Sequence, residues 1–377
     1  MIDRKPAEVF PPGDFIKEEM EERGWTQQDL AEILNKPLPT INELLNGKRG
    51  IVVETARRLA AAFGTSAQLW MNLETSFRLN VAPETPEILG VRSRAKLYDS
   101  APIREMEKRA WINKTRKHSE LDEELRKFYA VDSLEKVPSL SAVARASVKG
   151  EYASMTAAQW AWCVRAKQIS KGVDSKPFKR DRLDNLVSEL RVLTCEPEEI
   201  RHAPKLLAAA GIRLVVVEHL SKTRIDGAAL WVGKLPVIAL SLRFGRLDHV
   251  WFTLFHELAH IYYDDGVRAD IGIFEQESVE SVEEAENRAN GQAASWLIDQ
   301  DKLESFILRT TPLYSTQRIT NFARRMNVHP SIVAGQLKFR KELKWTKMTR
   351  MNVDVRDLVR DSTICDGWDR VPAVQGE

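Results

Sequence analysis

One short segment, HVWFTLFHELAHIYYDD at 249–265, constrains the fold of this chain more than any other. His256 and His260 are four residues apart, so on a helix both imidazoles lie on one face and can reach one ion. Glu257 follows the first histidine, where a carboxylate can polarise water beside a metal instead of binding the metal. Apolar residues, from Trp251 to Ile261, occupy the complementary face. The segment therefore predicts a buried helix that presents a metal site, most simply Zn²⁺, to a cleft.

A zinc site that is open to a substrate needs a third protein ligand. Residues 275–304 contain nine Asp or Glu against two basic residues, so this stretch is the expected source. A long helix is predicted from about Val282 to Ile298, and Glu286 lies on its packed face, one turn before Ala289. Glu283, one turn further out, is the alternative, and Glu284 is expected to face solvent.

Two further residues are candidates for stabilising the oxyanion of a tetrahedral intermediate. Tyr263 is seven residues beyond His256 and shares its helix face. His329 begins a later predicted helix that could fold over the cleft. A structural role is an equal alternative for both residues.

A second motif occupies residues 26–50, TQQDLAEILNKPLPTINELLNGKRG. It predicts two short helices joined by a turn, the arrangement that places a second helix in a DNA major groove. An ordinary helical bundle is the alternative. At the start of the first helix, Gln27 and Gln28 are predicted to bind a phosphate. The second helix is predicted to read the bases through Thr40, Asn42, Glu43 and Asn46. After that helix, Lys48 and Arg49 are predicted to bind the DNA backbone.

Charge restricts how such a motif can bind DNA. The 56 Lys and Arg nearly balance the 54 Asp and Glu, and residues 1–80 hold 10 basic against 12 acidic residues. A bulk positive field is excluded, so we expect operator binding to rest on a few contacts made by a homodimer.

The 377 residues predict several domains and a multidomain α+β fold. We predict an all-α helix-turn-helix bundle at 1–80, a basic helical middle at 81–204, an α+β domain with a small sheet at 205–345 and a weakly ordered tail at 346–377. The runs IRLVVVEHL, AALWV and LPVIALSL predict three strands.

The cellular compartment is predicted from the cysteine pattern and from the lack of signal-peptide and membrane-spanning segments. Three cysteines far apart, Cys163, Cys195 and Cys365, fit neither a disulfide framework nor a Cys-rich metal site. The chain shows no apolar run of signal-peptide or membrane-spanning type. We therefore expect a cytoplasmic protein with no membrane partner.

The first 80 residues resemble the HigA-like branch of the XRE-type helix-turn-helix family. The resemblance is carried by TINELLNGKRGI and by ETARRLAAAFGTSAQLWMNLE, in which Trp70 packs the final helix. It implies operator binding as a dimer, and often autoregulation. Pro37 and Pro39 depart from the family pattern at the start of the second helix.

Residues from about 205 to 340 resemble the ImmA/IrrE family of zinc metallopeptidases, also called M78 or DUF955, with a zincin-like fold. The motifs are IDGAALWV, LRFGRLDHVWFTLFHELAH, ENRANGQAASWLI and MNVHPSIVAGQL. The resemblance implies His256, His260 and Glu286 as zinc ligands and Glu257 as general base. Gln292, where an aromatic residue is usual, and Asp299, where proline is common, depart from the family pattern.

Together the two resemblances predict a DNA-binding regulator whose zinc endopeptidase domain hydrolyses a regulatory protein, either a repressor or an antitoxin. The alternative is an antitoxin-like autorepressor that binds a cognate toxin and uses its zinc domain as a sensor or scaffold. Cleavage that is lost in Glu257→Ala would support the peptidase, whereas no cleavage of any candidate, with operator binding and repression intact in both proteins, would favour the autorepressor.

Overall fold

The computed structural model describes residues 10–134, 155–264 and 279–372, the last range with its side chains from residue 284. The chain divides into two compact units, Met1–Val91 and Arg92–Glu377. The predicted combination of an N-terminal helix-turn-helix region, further helices and a small sheet near the C-terminus is confirmed.

The first unit is a bundle of short helices. They are α1 (Pro12–Arg23), α2 (Gln27–Leu34), α3 (Leu38–Leu45), α4 (Val53–Phe63) and α5 (Ala67–Val81). Thr26 caps α2, since its side chain accepts from the Asp29 amide while the Asp29 carboxylate accepts from the Thr26 amide. α1 packs so closely on α3 that a Cβ added to Gly13 would lie 2.3 Å from the Leu45 carbonyl oxygen. Glycine is therefore required at this crossing.

Helix α6 (Pro86–Ser100) spans the boundary between the units. The second unit continues with α7 (Ile103–Lys108), α8 (His118–Tyr129), α9 (Ala157–Ser170), α10 (Leu183–Leu193), α11 (Ala203–Ala210), β1 (Arg213–Val217), β2 (Gly227–Val232) and β3 (Leu235–Leu240). It is completed by α12 (Leu247–Tyr263), α13 (Val279–Leu297), α14 (Gln300–Thr310), α15 (Thr316–Met326), α16 (Pro330–Phe339), α17 (Arg356–Arg360) and β4 (Ile364–Asp366).

The four described strands form one mixed sheet in the order β2-β3-β1-β4. β1 pairs in parallel with β3 and with β4, whereas β2 pairs with β3 in the antiparallel sense. Alternate residues of β1 enter two different cores, with Leu214 and Val216 in one and Val215 and Val217 in the other. The sheet is therefore covered on both faces, which explains its nearly continuous apolar runs.

The helices predicted as a separate middle region share a core with the sheet. Trp162 of α9 is fully buried, and its indole Nε1 donates to the Val217 carbonyl oxygen at 2.8 Å. Periodicity identifies such helices but does not reveal that they pack on strands more than 40 residues later.

The tail also differs from its prediction as weakly ordered. Residues 346–372 contribute α17 and β4, and the Asp366 carboxylate is fully buried. It accepts from Arg165 Nε at 2.6 Å and from Trp111 Nε1 at 2.9 Å. A three-residue strand shows no period of its own, so order here comes from partners some 200 residues earlier. None of the described helices is long and apolar enough to span a membrane.

Candidate functional site

Helices α12 and α13 bring two histidines and one glutamate together, and both helices are apolar where they pack. Ala289 and Ala293 are fully buried, and the Trp296 ring lies 6.1 Å from that of Phe255. Within this contact, His256 Nε2 lies 3.1 Å from His260 Nε2 and 3.3 Å from Glu286 Oε2. His260 Nε2 lies 3.5 Å from Glu286 Oε1. We call these three residues, whose potential ligand atoms all lie within 4.8 Å of one another, the triangle.

This triangle fits a zinc ion. Zinc bonds of about 2.0–2.1 Å in a tetrahedron place neighbouring ligand atoms about 3.3 Å apart, close to the distances just described. The donor set of two imidazoles and one carboxylate is also one that zinc uses in catalytic sites. His256 and Glu286 retain 14% and 50% of their side-chain exposure, so the triangle is reachable from solvent. The residues therefore fit the metal that the sequence predicts.

The carboxylate of Glu286 is stabilised in its charged form. Hydrogen bonds with His256 and His260 hold the pKa of Glu286 well below its usual range, although partial burial opposes this shift. The carboxylate is thus ionised, as a metal ligand must be.

Glu257 is buried beside the triangle. Burial raises the pKa of Glu257, an effect that the neighbouring His256 and His260 oppose and that the Glu286 carboxylate reinforces. The Ala229 backbone amide of β2 also interacts with the Glu257 carboxylate. A buried carboxylate of raised pKa is a better proton acceptor than an exposed one.

Gly227, at the start of β2, makes room for Glu257. A Cβ at this position would lie 2.8 Å from both Glu257 Oε1 and Thr253 Cγ2. Gly227 is not among the site residues predicted from the sequence. The one sequence feature that could point to it is its position immediately before the apolar run AALWV, where a glycine can mark a close approach of another group.

The remaining predicted residues of the cleft have other partners. The Tyr263 hydroxyl donates to Gln292 Oε1 at 2.6 Å, so its proton is directed to α13. His329 is the N-cap of α16: its Nδ1 accepts from the Ser331 amide at 3.2 Å, and its own amide donates to the Thr194 carbonyl oxygen. His329 thus makes a capping contact through Nδ1, and its predicted role at the cleft stays a prediction. The side chain of Glu283 lies outside the described residues.

The predicted DNA-contacting residues all lie on the accessible surface of the first unit. Seven are exposed and Thr40 is half-buried, while Leu34, Ile41 and Leu45 between them are buried. The exposed set is Gln27, Gln28, Asn42, Glu43, Asn46, Lys48 and Arg49. Arg49 Nη1 also lies 3.3 Å from Glu43 Oε2, so part of its charge is already compensated.

Two family models match separate parts of the chain. The helix-turn-helix model matches residues 16–70, and the model described as the IrrE N-terminal-like domain, peptidase M78, matches residues 209–338. The second match contains α12 and the donors of the triangle.

The most similar relatives include Virulence-associated protein I of Dichelobacter nodosus, 33% identical over 81 residues, or 21% of this chain and 75% of that protein. The HTH-type transcriptional regulator YddM of Escherichia coli K12 is 31% identical over 81 residues, or 22% of this chain and 86% of that protein.

Among solved structures, a HigA-family addiction module antidote protein of Coxiella burnetii is 33% identical over 20% of this chain and 82% of its own, with a TM-score of 0.19. The Pseudomonas aeruginosa antitoxin HigA with the higBA promoter is 36% identical over 20% and 83%, with a TM-score of 0.20. The helix-turn-helix model and the two curated relatives identify the first part of the molecule, and the M78 model alone identifies the second: the chain belongs to the XRE-type helix-turn-helix family of transcriptional regulators and carries an IrrE N-terminal-like domain of the M78 peptidase type.

Proposed function

We propose that the second unit is a zinc-dependent endopeptidase that hydrolyses a peptide bond in a regulatory protein, a repressor or an antitoxin. The observation that carries this proposal is the triangle of His256, His260 and Glu286 with the buried Glu257 beside it. A bound zinc ion would act as a Lewis acid toward water and toward the carbonyl group of the scissile bond.

The chain's own residues supply the proton transfers. Glu257 takes a proton from the attacking water, because burial has raised the pKa of its carboxyl group. The protonated carboxyl then donates to the leaving nitrogen. The Ala229 amide positions the Glu257 carboxylate, and the absence of a side chain at Gly227 leaves room for it. Tyr263 and His329 stay predictions as oxyanion donors, and Tyr263 needs to leave Gln292 to act.

The peptidase is tested with zinc-loaded full-length protein and the repressors, antitoxins and toxins encoded beside its gene. We expect wild type to cleave one of these proteins and Glu257→Gln to lose cleavage while it retains zinc. Intact zinc with no cleavage by wild type of any of them would reject the peptidase. The same result, with operator binding and repression intact, would support the alternative of a non-proteolytic autorepressor that binds a toxin.

Zinc content is tested separately by metal analysis. His256→Ala should lower zinc affinity by more than about 100-fold, since loss of outer-shell partners alone costs about 10–100-fold. His202→Ala is the matched control, because His202 is 55% exposed and lies outside the triangle. Undiminished zinc in His256→Ala would remove the ligand assignment.

We also infer that the first unit binds operator double-stranded DNA as a homodimer and that the protein acts in the cytoplasm. The support is the exposed surface of α2 and α3, with polar side chains outward over a buried apolar core. Because the unit lacks a bulk positive charge, individual cations matter. Lys48→Ala should lower the affinity for the chain's own promoter DNA and for unrelated DNA by about the same factor. It should also reduce the slope of log affinity against log salt concentration by about 1. Lys17→Ala, on α1, is the control, and an equal loss there would contradict the assignment.

A further inference from the structure

Two phenylalanines extend the candidate metal site along one side. Phe252, one turn before His256 on α12, has its ring centroid 6.2 Å from that of His256, with the two planes 30° apart. The Phe339 ring, at the end of α16, lies 6.3 Å from Phe252. We call Phe252 and Phe339 the aromatic shelf. It begins at a metal donor and continues outward to an exposed ring.

The positions of both rings are fixed by the contact between α12 and α16. Asp248, one turn before Phe252, is buried and accepts from Arg246 Nε and Nη2, each at 3.0 Å. A Cβ added to Gly335, one turn before Phe339, would lie 2.8 Å from Asp248 Oδ2. The two helices are thus in close contact directly beside the shelf, so its rings are presented by a rigid platform.

The exposure of Phe339 distinguishes the shelf from core packing. Phe339 is 68% exposed, whereas Phe255, three residues after Phe252 on α12, is fully buried. Single exposed apolar residues are common on protein surfaces. Phe339 differs from isolated examples because it continues an aromatic surface that reaches His256.

The spacing of the Phe252 and His256 rings is comparable to the dimensions of a peptide. Successive residues of an extended chain advance about 3.3–3.6 Å. The Phe252 ring centre lies 6.2 Å from the centre of the His256 ring, so we expect it to be within reach of a side chain next to a scissile carbonyl group bound at the donors. Phenyl rings offer no hydrogen bond to a polar side chain but favour an apolar one by removing its surface from water.

We propose that the aromatic shelf is a specificity subsite that binds a large apolar or aromatic side chain adjacent to the scissile bond. The substrate class is thus peptides with such a residue beside the cleaved bond. This inference rests on the proposed peptidase function, so its test must separate a failure of the shelf from a failure of the metal site.

The test measures binding of two hydroxamates to zinc-loaded full-length protein by calorimetry. Acetohydroxamate carries only a methyl group, and the hydroxamate of 3-phenylpropionic acid carries a phenyl ring that can reach the shelf. We expect the phenyl compound to bind about tenfold more tightly, as expected for burial of part of a ring. Phe339→Ala should reduce this preference and leave acetohydroxamate binding unchanged.

Leu308→Ala is the matched control, since Leu308 is 76% exposed on α14 and should leave the preference intact. Equal affinity of wild type for the two compounds, or an unchanged preference in Phe339→Ala, would overturn the shelf while the metal site stands. If zinc-loaded wild type binds neither compound, the proposed metal chemistry fails, and the shelf fails with it. Zinc content measured in every variant keeps these outcomes apart.

Discussion

The two candidate sites are assembled over very different lengths of chain. The helix-turn-helix surface uses residues between 27 and 49, and its local capping box and buried Leu34, Ile41 and Leu45 suffice to orient it. The metal triangle joins residues 256 and 260 to residue 286, and the adjacent base depends on a glycine at 227. One site is therefore set by local sequence, whereas the other depends on long-range packing.

The largest loss of stability is expected from breaking the buried ion pair between Arg165 and Asp366, which are 201 residues apart in the chain. Arg165→Ala leaves the Asp366 carboxylate buried without its ion pair, since the two side chains are only 5% and 1% exposed. Removing one partner of such a pair costs about 3–5 kcal/mol. Hydrogen exchange of the β1 amides in the full chain should report this loss. The exposed Arg104→Ala is the control, and equal protection in both variants would contradict a structural role for the tail.

A smaller effect is expected at the strand that borders the base. Gly227→Ala should displace the Glu257 carboxylate, because its Cβ would approach Oε1 to 2.8 Å. Misplacement of about 1 Å can cost about 100-fold in rate, so cleavage should fall by that order while zinc content is retained. In Gly291→Ala on α13 the added Cβ meets no atom within 4 Å, so activity should persist. Full cleavage by Gly227→Ala would show that the base tolerates displacement.

The smallest effect is expected in the locally determined region. Thr26→Ala removes the side-chain oxygen that accepts from the Asp29 amide at 3.2 Å. Loss of such a cap costs about 1 kcal/mol, measurable as faster hydrogen exchange of the α2 amides. Thr26→Ser keeps the acceptor and should exchange like wild type. A loss in Thr26→Ala as large as that in Arg165→Ala would break the distinction between the two regions.

The same distinction explains what could be predicted from sequence. Periodicity and apolar runs predict α2, α3, α12 and the strands β1, β2 and β3, because each is encoded within its own residues. Helical phase also places Glu286, rather than the solvent-facing Glu284, toward the two histidines. These are properties that neighbouring residues determine together.

Long-range features could not be predicted in this way. β4 has three residues and acquires order by pairing with β1, and Asp366 finds its partners in Trp111 and Arg165. The contacts of His329 with Ser331 and Thr194 likewise depend on how α16 begins and what it packs against. Residue type and position in the chain do not reveal these contacts.

The sheet covered on both faces has a practical consequence for truncated proteins. A fragment cut to residues 209–338, the range of the IrrE-like match, would keep the metal donors. It would lack Trp162 and β4, and so leave Val215 and Val217 bare and one edge of β1 unpaired. Exposed apolar strands with an open edge associate with one another. Such a fragment is expected to aggregate on expression, whereas one that begins at residue 92 and retains the tail keeps its sheet covered.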